Sequence, residues 1–469
     1  MSPYVHASCD RAAAQAVQCR RAVKDPVGIL ATTILASSLA FIDGSVVNVG
    51  LVAIGRNLHA DAGELQWVID AYLLPLSALL LLGGAAGDRF GRRRYLNIGI
   101  AVFALSSIVC AVAPDLKILL LGRLTQGMGA ALLLPNSLAI LGQSFTGEAK
   151  GRAVGLWAAA GAVAGVIGPL LGGWLIDLWS WRAMFLINVP LAGGAMALAR
   201  RFVAPDPASN GERLDVAGAL LATAGLGALA WGLTVGSSPA GWTRAAVGGT
   251  VLAGVALVAF VALEGLRGDR AMMPVALFAT ASFVGLNLLT FLLYGALSAL
   301  LVLVPYFLIE ASGYSALAAG AALLPLPITL ALTAPLAGEV AGRGGARVLL
   351  AAGPLLVAVG FALAMRIDAA SSYWTDVLPA ILVISIGMVG AVAPLTTAVL
   401  SSVGAPHTGV ASGFNSAVAR AGGLFATALL GFVFAVHGPE LVIEFHAALI
   451  TCALSCLAAS LCALPIGRD

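Results

Sequence analysis

The chain consists of long apolar runs separated by short polar segments, and this spacing predicts its secondary structure. Each run holds about 20 residues, the length that an α-helix needs to cross the hydrocarbon of a bilayer. The short connections contain Gly, Pro, Asp, Asn and Ser, as loops usually do. The pattern predicts fourteen membrane-spanning helices, over residues 26–50, 65–85, 95–113, 116–141, 152–176, 183–201, 214–235, 244–266, 280–308, 314–337, 347–365, 376–400, 412–436 and 445–466.

The composition indicates the same class of protein. Hydrophobic residues make up 60% of the 469 residues and charged residues 10%, whereas soluble proteins have about half and about a quarter. Mean hydropathy is +1.00. The first 25 residues carry four basic side chains and no apolar core, so they predict a tail and not a secretory signal. The net charge of +3 is small, and no nucleic-acid partner is expected.

The positions of Lys and Arg predict the orientation. With the amino terminus inside, the cytoplasmic segments hold eighteen of the 25 basic residues and the outer loops hold five. Arg123 and Arg420 are left within helices. Because cytoplasmic loops are enriched in basic residues, we expect a multi-pass protein of the cytoplasmic (inner) membrane with both termini in the cytoplasm. The densest basic turn, residues 84–94, should lie on the cytoplasmic face.

Two short patterns occur twice. Residues 84–94 read G-A-A-G-D-R-F-G-R-R-R and have a weaker copy at 337–347, while G-x-A-x-G occurs at 151–155 and at 409–413. Both offsets equal eight spans, as expected for two six-helix halves separated by two extra helices. Transporters are often built from such repeats, with the substrate site between them.

The predicted fold is therefore an all-α polytopic membrane protein with two pseudo-symmetric six-helix bundles and two inserted helices. The predicted domains are a cytoplasmic tail (1–25), an N-terminal bundle (26–202), an inserted pair (203–270) and a C-terminal bundle (271–469).

Four motifs follow one another along the chain. Residues 41–48 read F-I-D-G-S-V-V-N, residues 123–127 read R-L-T-Q-G, and residues 161–173 read G-A-V-A-G-V-I-G-P-L-L-G-G. The fourth is the basic turn at 84–94. Together they resemble the major facilitator superfamily, and within it the fourteen-helix drug:proton antiporters. The resemblance implies proton-coupled efflux of lipophilic small molecules by alternating access.

The resemblance also implies roles for the motif residues. The turn would act as a latch, with Asp88 and Arg92 bridging to the other half in one conformation; the simpler alternative is a surface cap for the arginines. The glycine motif favours export, and its close packing would seal one face; the alternative is ordinary small-residue packing. The gating residues are Gly84, Asp88, Arg89, Gly91 and Arg92, and the antiporter-motif residues are Gly161, Gly165, Gly168, Pro169, Gly172 and Gly173.

Three ionisable residues of the N-terminal spans are candidates for proton coupling. Asp43, Arg123 and Asp70 lie about 12, 10 and 8 Å below the outer end of their spans, so they can share one layer. Burial raises the pKa of a carboxyl and a nearby arginine lowers it. An acid whose contact with Arg123 changes between two states would therefore bind and release protons. Arg123 could pair with either acid, and a static ion pair is the alternative. Arg420 is expected at a helix entrance, in a structural role.

Polar residues in apolar surroundings are candidates for contact with the cargo. A pocket for lipophilic compounds is mostly apolar with a few polar points, and Asn48, Asn136 and Trp157 are the candidate substrate-binding residues. We expect a monomer whose partners are a small-molecule substrate, protons and the bilayer.

Other classes of protein fit the sequence less well. The five histidines lack ligand spacing, and the cysteines read as packing residues, so no metal or cofactor is expected. The absence of a G-x-x-x-x-G-K-[ST] loop argues against an ATP-driven pump, and no reactive cluster indicates an enzyme. A passive channel or receptor is conceivable. An exporter of one specific metabolite, such as an antibiotic, a lipid or a siderophore, stays open as the alternative function.

Overall fold

A computed structural model describes residues 25–145, 147–205, 216–237, 241–267, 275–340, 346–403 and 408–464. These residues are almost entirely helical and contain no strand. The predicted tail up to residue 24 lies outside the described residues, as do residues 341–345, the centre of the weaker copy of the basic turn. The α-helices are α1 (Pro26–Leu58), α2 (Ala62–Phe90), α3 (Arg92–Val112), α4 (Leu116–Ser144), α5 (Gly147–Leu178), α6 (Ala183–Leu186), α7 (Asn188–Phe202), α8 (Val216–Gly236), α9 (Arg244–Arg267), α10 (Ala281–Glu310), α11 (Ala316–Ala321), α12 (Pro325–Val340), α13 (Ala346–Ala364), α14 (Leu378–Ser401), α15 (Thr408–Ala428), α16 (Gly431–Phe434) and α17 (Pro439–Cys462).

The helices confirm an all-α polytopic membrane protein. Among the described residues, eleven helical segments are long and apolar enough to cross a membrane. A twelfth is α2 if its two parts, which meet at 50°, are counted as one span. Two shorter apolar stretches, 163–178 and 220–236, lie within α5 and α8. These segments fit the fourteen predicted spans, while the exact domain boundaries stay a prediction.

Local sequence explains where several helices begin. The side chain of Asp25 accepts a hydrogen bond from the backbone N–H of Gly28 at 2.8 Å, which caps α1. Asp61 and Glu64 cap α2 reciprocally, each side chain accepting from the backbone N–H of the other at 2.9 Å. Such caps satisfy N–H groups that the first helical turn leaves without partners.

The connection between α2 and α3 is a single glycine. Gly91 has φ 103° and ψ 117°, a conformation that side chains with a Cβ rarely adopt. Because the chain turns within one residue, the end of α2 and the start of α3 lie side by side. Gly91 therefore fixes the geometry of the basic turn at residues 84–94.

Successive helices alternate in direction and define two ends of the molecule. The Glu310 end contains the connections 59–61 and 113–115 and the last residue of α10. The Arg92 end contains Gly91 and Phe145. For description, residues 25–205 are called the N-terminal half, 216–267 the inserted pair and 275–464 the C-terminal half.

The largest apolar cluster crosses the two halves. It joins Val46, Leu51 and Phe185 of the N-terminal half to Leu286 and Phe307 of the C-terminal half. A second cluster lies mainly within the N-terminal half. Outward-facing positions are apolar as well: on α9, the exposed large side chains are Val247, Val251, Leu252, Val255, Val258, Val261 and Leu266. A surface of this kind suits hydrocarbon, which is as apolar as these side chains.

Candidate functional site

An ion pair is buried in the N-terminal half. Nη1 of Arg123 on α4 donates to Oδ2 of Asp43 on α1 at 2.5 Å, and the two side chains are 1% and 0% exposed. Arg123 also donates through Nε to the carbonyl of Val68 at 3.1 Å, which ties the pair to α2. The prediction left two acids open as the partner of Arg123, and in this conformation the partner is Asp43.

Amide side chains complete the shell of this pair. Oδ1 of Asp43 accepts from Gln126 at 2.8 Å and from Asn188 at 2.9 Å. The guanidinium carbon of Arg123 lies 4.3 Å from the centroid of the Tyr72 ring. A buried ion pair is tolerated only when its remaining donors and acceptors are satisfied. Both oxygens of Asp43 have donors here, so the pair is fixed by side chains of several helices.

Asp70 has a different environment. It is completely buried on α2, and its carboxyl oxygens lie 2.9 Å from Oγ1 of Thr427 and 3.1 Å from Oγ1 of Thr234. Among the described residues, no cation forms an ion pair with it. Because a hydroxyl can either donate or accept a hydrogen bond, these two partners can bond to a charged carboxylate or to a protonated carboxyl.

The shell of Asp70 joins three parts of the molecule. Asp70 belongs to the N-terminal half, Thr234 to the inserted pair and Thr427 to the C-terminal half. Two neighbouring bonds reinforce the junction: Gln66 donates to the carbonyl of Thr427 at 3.0 Å, and Ser237 donates to the carbonyl of Ala428 at 2.5 Å. Separation of the halves here would break the contacts of Asp70 and Gln66 with Thr427, and the inserted pair would lose its contact with at least one half.

The halves also meet closely along α5 and α11. A Cβ added to Gly173 would lie 2.5 Å from the carbonyl oxygen of Ala316, and one added to Gly320 would lie 2.5 Å from that of Pro169. The backbone N–H of Leu317 donates to Asp177 at 3.1 Å. The described hydrogen bonds and ion pairs between the halves all lie within about 14 Å of the Glu310 end, where Arg56 and Glu310 pair at 3.1 Å. The structure is therefore closed at that end.

The remaining glycines of the antiporter motif pack α5 on α1. A Cβ at Gly161 would meet the ring of Phe41 at 2.8 Å, and one at Gly168 would meet the carbonyl of Ile42 at the same distance. Gly172 is packed in the same way against Val46. Gly165 differs, because no atom lies within 4 Å of its added Cβ. The motif thus combines close packing with one unfilled space.

The basic turn at residues 84–94 lies at the Arg92 end. Nε of Arg92 pairs with Oδ1 of Asp88 at 2.6 Å, and its Nη1 donates to the carbonyl of Ala139 at 3.2 Å. Both contacts are within the N-terminal half. Asp88 is exposed, and Arg89 lies over the ring of Phe90 at 5.4 Å. The bridge to the other half stays a prediction for a different conformation.

Gly84 and Gly87 let α2 approach α4. A Cβ at Gly84 would lie 3.4 Å from Pro135, and one at Gly87 would overlap Oδ1 of Asn136. Asn136 is fully buried and donates to the carbonyl of Gly83 at 2.9 Å. Its amide therefore joins α4 to α2 by a hydrogen bond. A substrate-binding role for Asn136 stays a prediction.

The other two predicted substrate contacts differ from each other. Trp157 is partly exposed, donates to Oγ of Ser37 at 3.0 Å and packs edge-on against Phe41 with ring centroids 6.0 Å apart. Asn48 is 6% exposed. Substrate contact stays a prediction for both.

Sequence reasoning misplaced Arg420. The structure puts it twelve residues into α15, far from either end of that helix and not at a helix entrance. It also missed Thr234 and Thr427, because isolated hydroxyls are common in membrane helices and give no distinct signal. Gln126 belongs to the R-L-T-Q-G motif at residues 123–127. Its place in the same motif as Arg123 is the signal that could have assigned it to the ion pair.

A double-mutant cycle tests the contact between α2 and α4. We expect Gly87→Ala to destabilise the purified protein by about 1–3 kcal/mol, because the methyl group overpacks a filled site. Asn136→Ala removes the obstacle, so the double variant should lose less than the sum of the two single losses, with a coupling of about 0.5–3 kcal/mol. Thermal unfolding of the four proteins measures this, and strictly additive losses would contradict the contact.

The comparisons with known proteins decide the family. Residues 33–288 match the family model described as Major Facilitator Superfamily. The chain belongs to the major facilitator superfamily. Its relatives in the superfamily include the multidrug resistance protein Stp of Mycobacterium tuberculosis (strain CDC 1551 / Oshkosh), 32% identical over 87% of this chain and 75% of Stp. Another is the cephamycin export protein CmcT of Amycolatopsis lactamdurans, 36% identical over 86% of this chain and 83% of CmcT.

Solved structures of superfamily members share the fold. The inward-open xylose transporter XylE from E. coli is similar with a TM-score of 0.65 and 16% identity, over 94% of this chain and 96% of XylE. As a member of the major facilitator superfamily, the chain is a multi-pass membrane transporter of small-molecule substrates.

Proposed function

We propose that this protein exports lipophilic small molecules in exchange for protons across the cytoplasmic membrane, by alternating access. Relatives named for multidrug resistance and for antibiotic export support the cargo class. The observation that carries proton coupling is the contrast between the two buried acids. Asp43 is paired with Arg123, whereas Asp70 has two hydroxyl partners and no ion pair among the described residues, and it lies where the two halves meet.

Asp70 carries the proton in this scheme. A charged carboxylate enclosed by protein without a cation is costly, and a bound proton removes that cost. When the halves separate at the Glu310 end, Thr427 moves away and water reaches Asp70. Proton uptake there favours closure, because the neutral carboxyl can be enclosed again. Release of the proton towards the Arg92 end completes the exchange.

Asp43 and Arg123 hold the N-terminal half together while Asp70 changes state. Their pair connects α1, α2 and α4 and involves α7 through Asn188. Because the pair is already neutral as a unit, it does not compete with Asp70 for the proton in this conformation. The described structure then corresponds to the state after proton uptake and before cargo loading.

Closure at the Glu310 end prevents water, protons and cargo from passing between the halves. The close approaches at Gly173 and Gly320 leave no room for water between α5 and α11. The apolar cluster that crosses the halves adds a dry layer at the same end. Cargo therefore enters from the Arg92 end. The basic turn at residues 84–94 predicts that this end faces the cytoplasm.

Cysteine labelling tests this orientation. In a variant with Cys9, Cys19 and the partly exposed Cys462 replaced by Ser, we expect Arg94→Cys to react with a membrane-impermeant maleimide only after the membrane is permeabilised. Arg56→Cys should react in intact cells, because its side chain is 68% exposed at the Glu310 end. Labelling of position 94 in intact cells would reverse the proposed direction of transport.

The runner-up is export of one specific metabolite. The similarity to CmcT, whose name gives a single antibiotic class, favours it as strongly as the similarity to Stp favours broad efflux. Purified protein in vesicles with an inward proton gradient separates the two. Accumulation of several unrelated lipophilic dyes and antibiotics supports broad efflux, and accumulation of one compound class supports the runner-up. Uphill transport without any proton gradient would refute proton coupling in either case.

A further inference from the structure

Arg420 is a cation in the middle of a membrane-spanning helix. It lies twelve residues after the start of α15 and eight before its end, about 18 Å from the first residue. A charge at that depth is costly, and arginines there almost always have a partner or line a water-filled space.

No protein anion neutralises Arg420 among the described residues. The ion pairs of the described chain do not include it. Asp43 is taken by Arg123, and Asp70 is held by Thr427 and Thr234. The membrane-embedded acids of the N-terminal half are thus engaged elsewhere, and a positive charge is left over.

Arg420 faces the space between the two halves. Thr427, seven residues later and two helical turns away on the same face, contacts Asp70 of the N-terminal half. Ala417, three residues earlier, packs against the N-terminal cluster that contains Tyr72. Its side chain nevertheless keeps partial exposure. A partly exposed side chain on this face of α15 can reach the space between the halves.

The N-terminal half offers apolar surface for a ligand body. Phe41 and Trp157 pack edge to face and are both partly exposed. The unfilled space at Gly165 lies one helical turn from Gly161, which touches Phe41. Binding sites for small molecules combine such apolar walls with a few polar points.

We propose that Arg420 binds the acidic group of the cargo, so that the substrates include lipophilic organic anions whose apolar body lies against Phe41 and Trp157. The planar guanidinium matches a carboxylate or sulfonate with two parallel hydrogen bonds. A bound anion also supplies the counter-charge that the described chain does not provide. This inference rests on the proposed export function and specifies its substrate class.

Matched ligands test the proposal by binding, which does not require transport. The probes are a panel of dansyl amino acids, each paired with its uncharged amide, and the protein is the full chain in lipid nanodiscs. We expect at least one acid to bind about 10- to 100-fold more tightly than its amide, as a charged hydrogen-bonded pair allows. Arg420→Gln should bring the acid down to the affinity of the amide. Arg420→Lys should retain part of the preference, and Arg201→Gln should retain all of it.

The outcomes are distinguishable. Unchanged amide binding in Arg420→Gln shows that the variant is folded; if it does not fold, Arg420→Lys and the wild-type preference decide. Equal binding of acids and amides to the wild type, or a preference that survives in Arg420→Gln, would overturn the proposal. The export function itself fails separately, if vesicles accumulate no lipophilic compound from a proton gradient.

Discussion

Asp70→Asn is expected to lose uphill transport while keeping downhill movement of the same substrate. Asparagine occupies nearly the same volume and can still bond with Thr427 and Thr234, so the junction should form. It cannot release a proton, however. If proton and cargo sites are coupled by about 1–3 kcal/mol, accumulation from a proton gradient should fall by about 5- to 150-fold. Vesicles with and without an imposed gradient measure both quantities.

Thr427→Val provides the matched control for this prediction. It removes the hydroxyl that bridges the halves but leaves the titrating group in place, so coupling should weaken without disappearing. Glu310→Gln alters an exposed ion pair at the same end, and such pairs contribute only about 0–1 kcal/mol. Uphill transport by Asp70→Asn at the wild-type level would show that another group carries the proton.

Arg123→Gln is expected to have the largest effect on folding. It leaves Asp43 buried without its cation, and removing one partner of a buried pair costs about 3–5 kcal/mol. We expect little folded protein after extraction and a strongly lowered unfolding temperature for what remains. Size-exclusion profiles and thermal unfolding in detergent provide the measurement.

The double variant Asp43→Asn with Arg123→Gln separates structure from transport. Two neutral amides leave no uncompensated charge, so much of the lost stability should return. Transport should not return if the charged pair is needed during the cycle. A double variant that transports uphill like the wild type would mean that this pair is structural only.

Sequence reasoning reached the fold because each span repeats one physical requirement. About 20 apolar residues must lie between polar connections, and all fourteen predicted runs overlap described helices. The sequence predicted that Arg123 could pair with Asp43 or Asp70 but did not decide between them. Depth along a helix gives the height of Asp43, Asp70 and Arg123, but not the direction in which each side chain points. Only the packing of α1, α2 and α4 shows that Arg123 turns to Asp43.

The partners of Asp70 could not be predicted for a related reason. Thr234 and Thr427 are 164 and 357 residues away along the chain, and they belong to the inserted pair and the C-terminal half. Arg420 was misplaced because it was assigned to a helix entrance, although it already lies eight residues after the predicted start of its span at residue 412. In the structure it lies twelve residues after Thr408, the first residue of α15, and so in the interior of that helix.

The spacing along α5 also bears on how descendants of this chain can diverge. A Cβ added at Gly161, Gly168, Gly172 or Gly173 would overlap a neighbouring group, so a larger residue at those positions requires its neighbours to shift. Position 165 has no such obstacle. A lineage could therefore enlarge or reshape that single residue and change which compounds it tolerates, without rebuilding the barrier that keeps the two compartments apart.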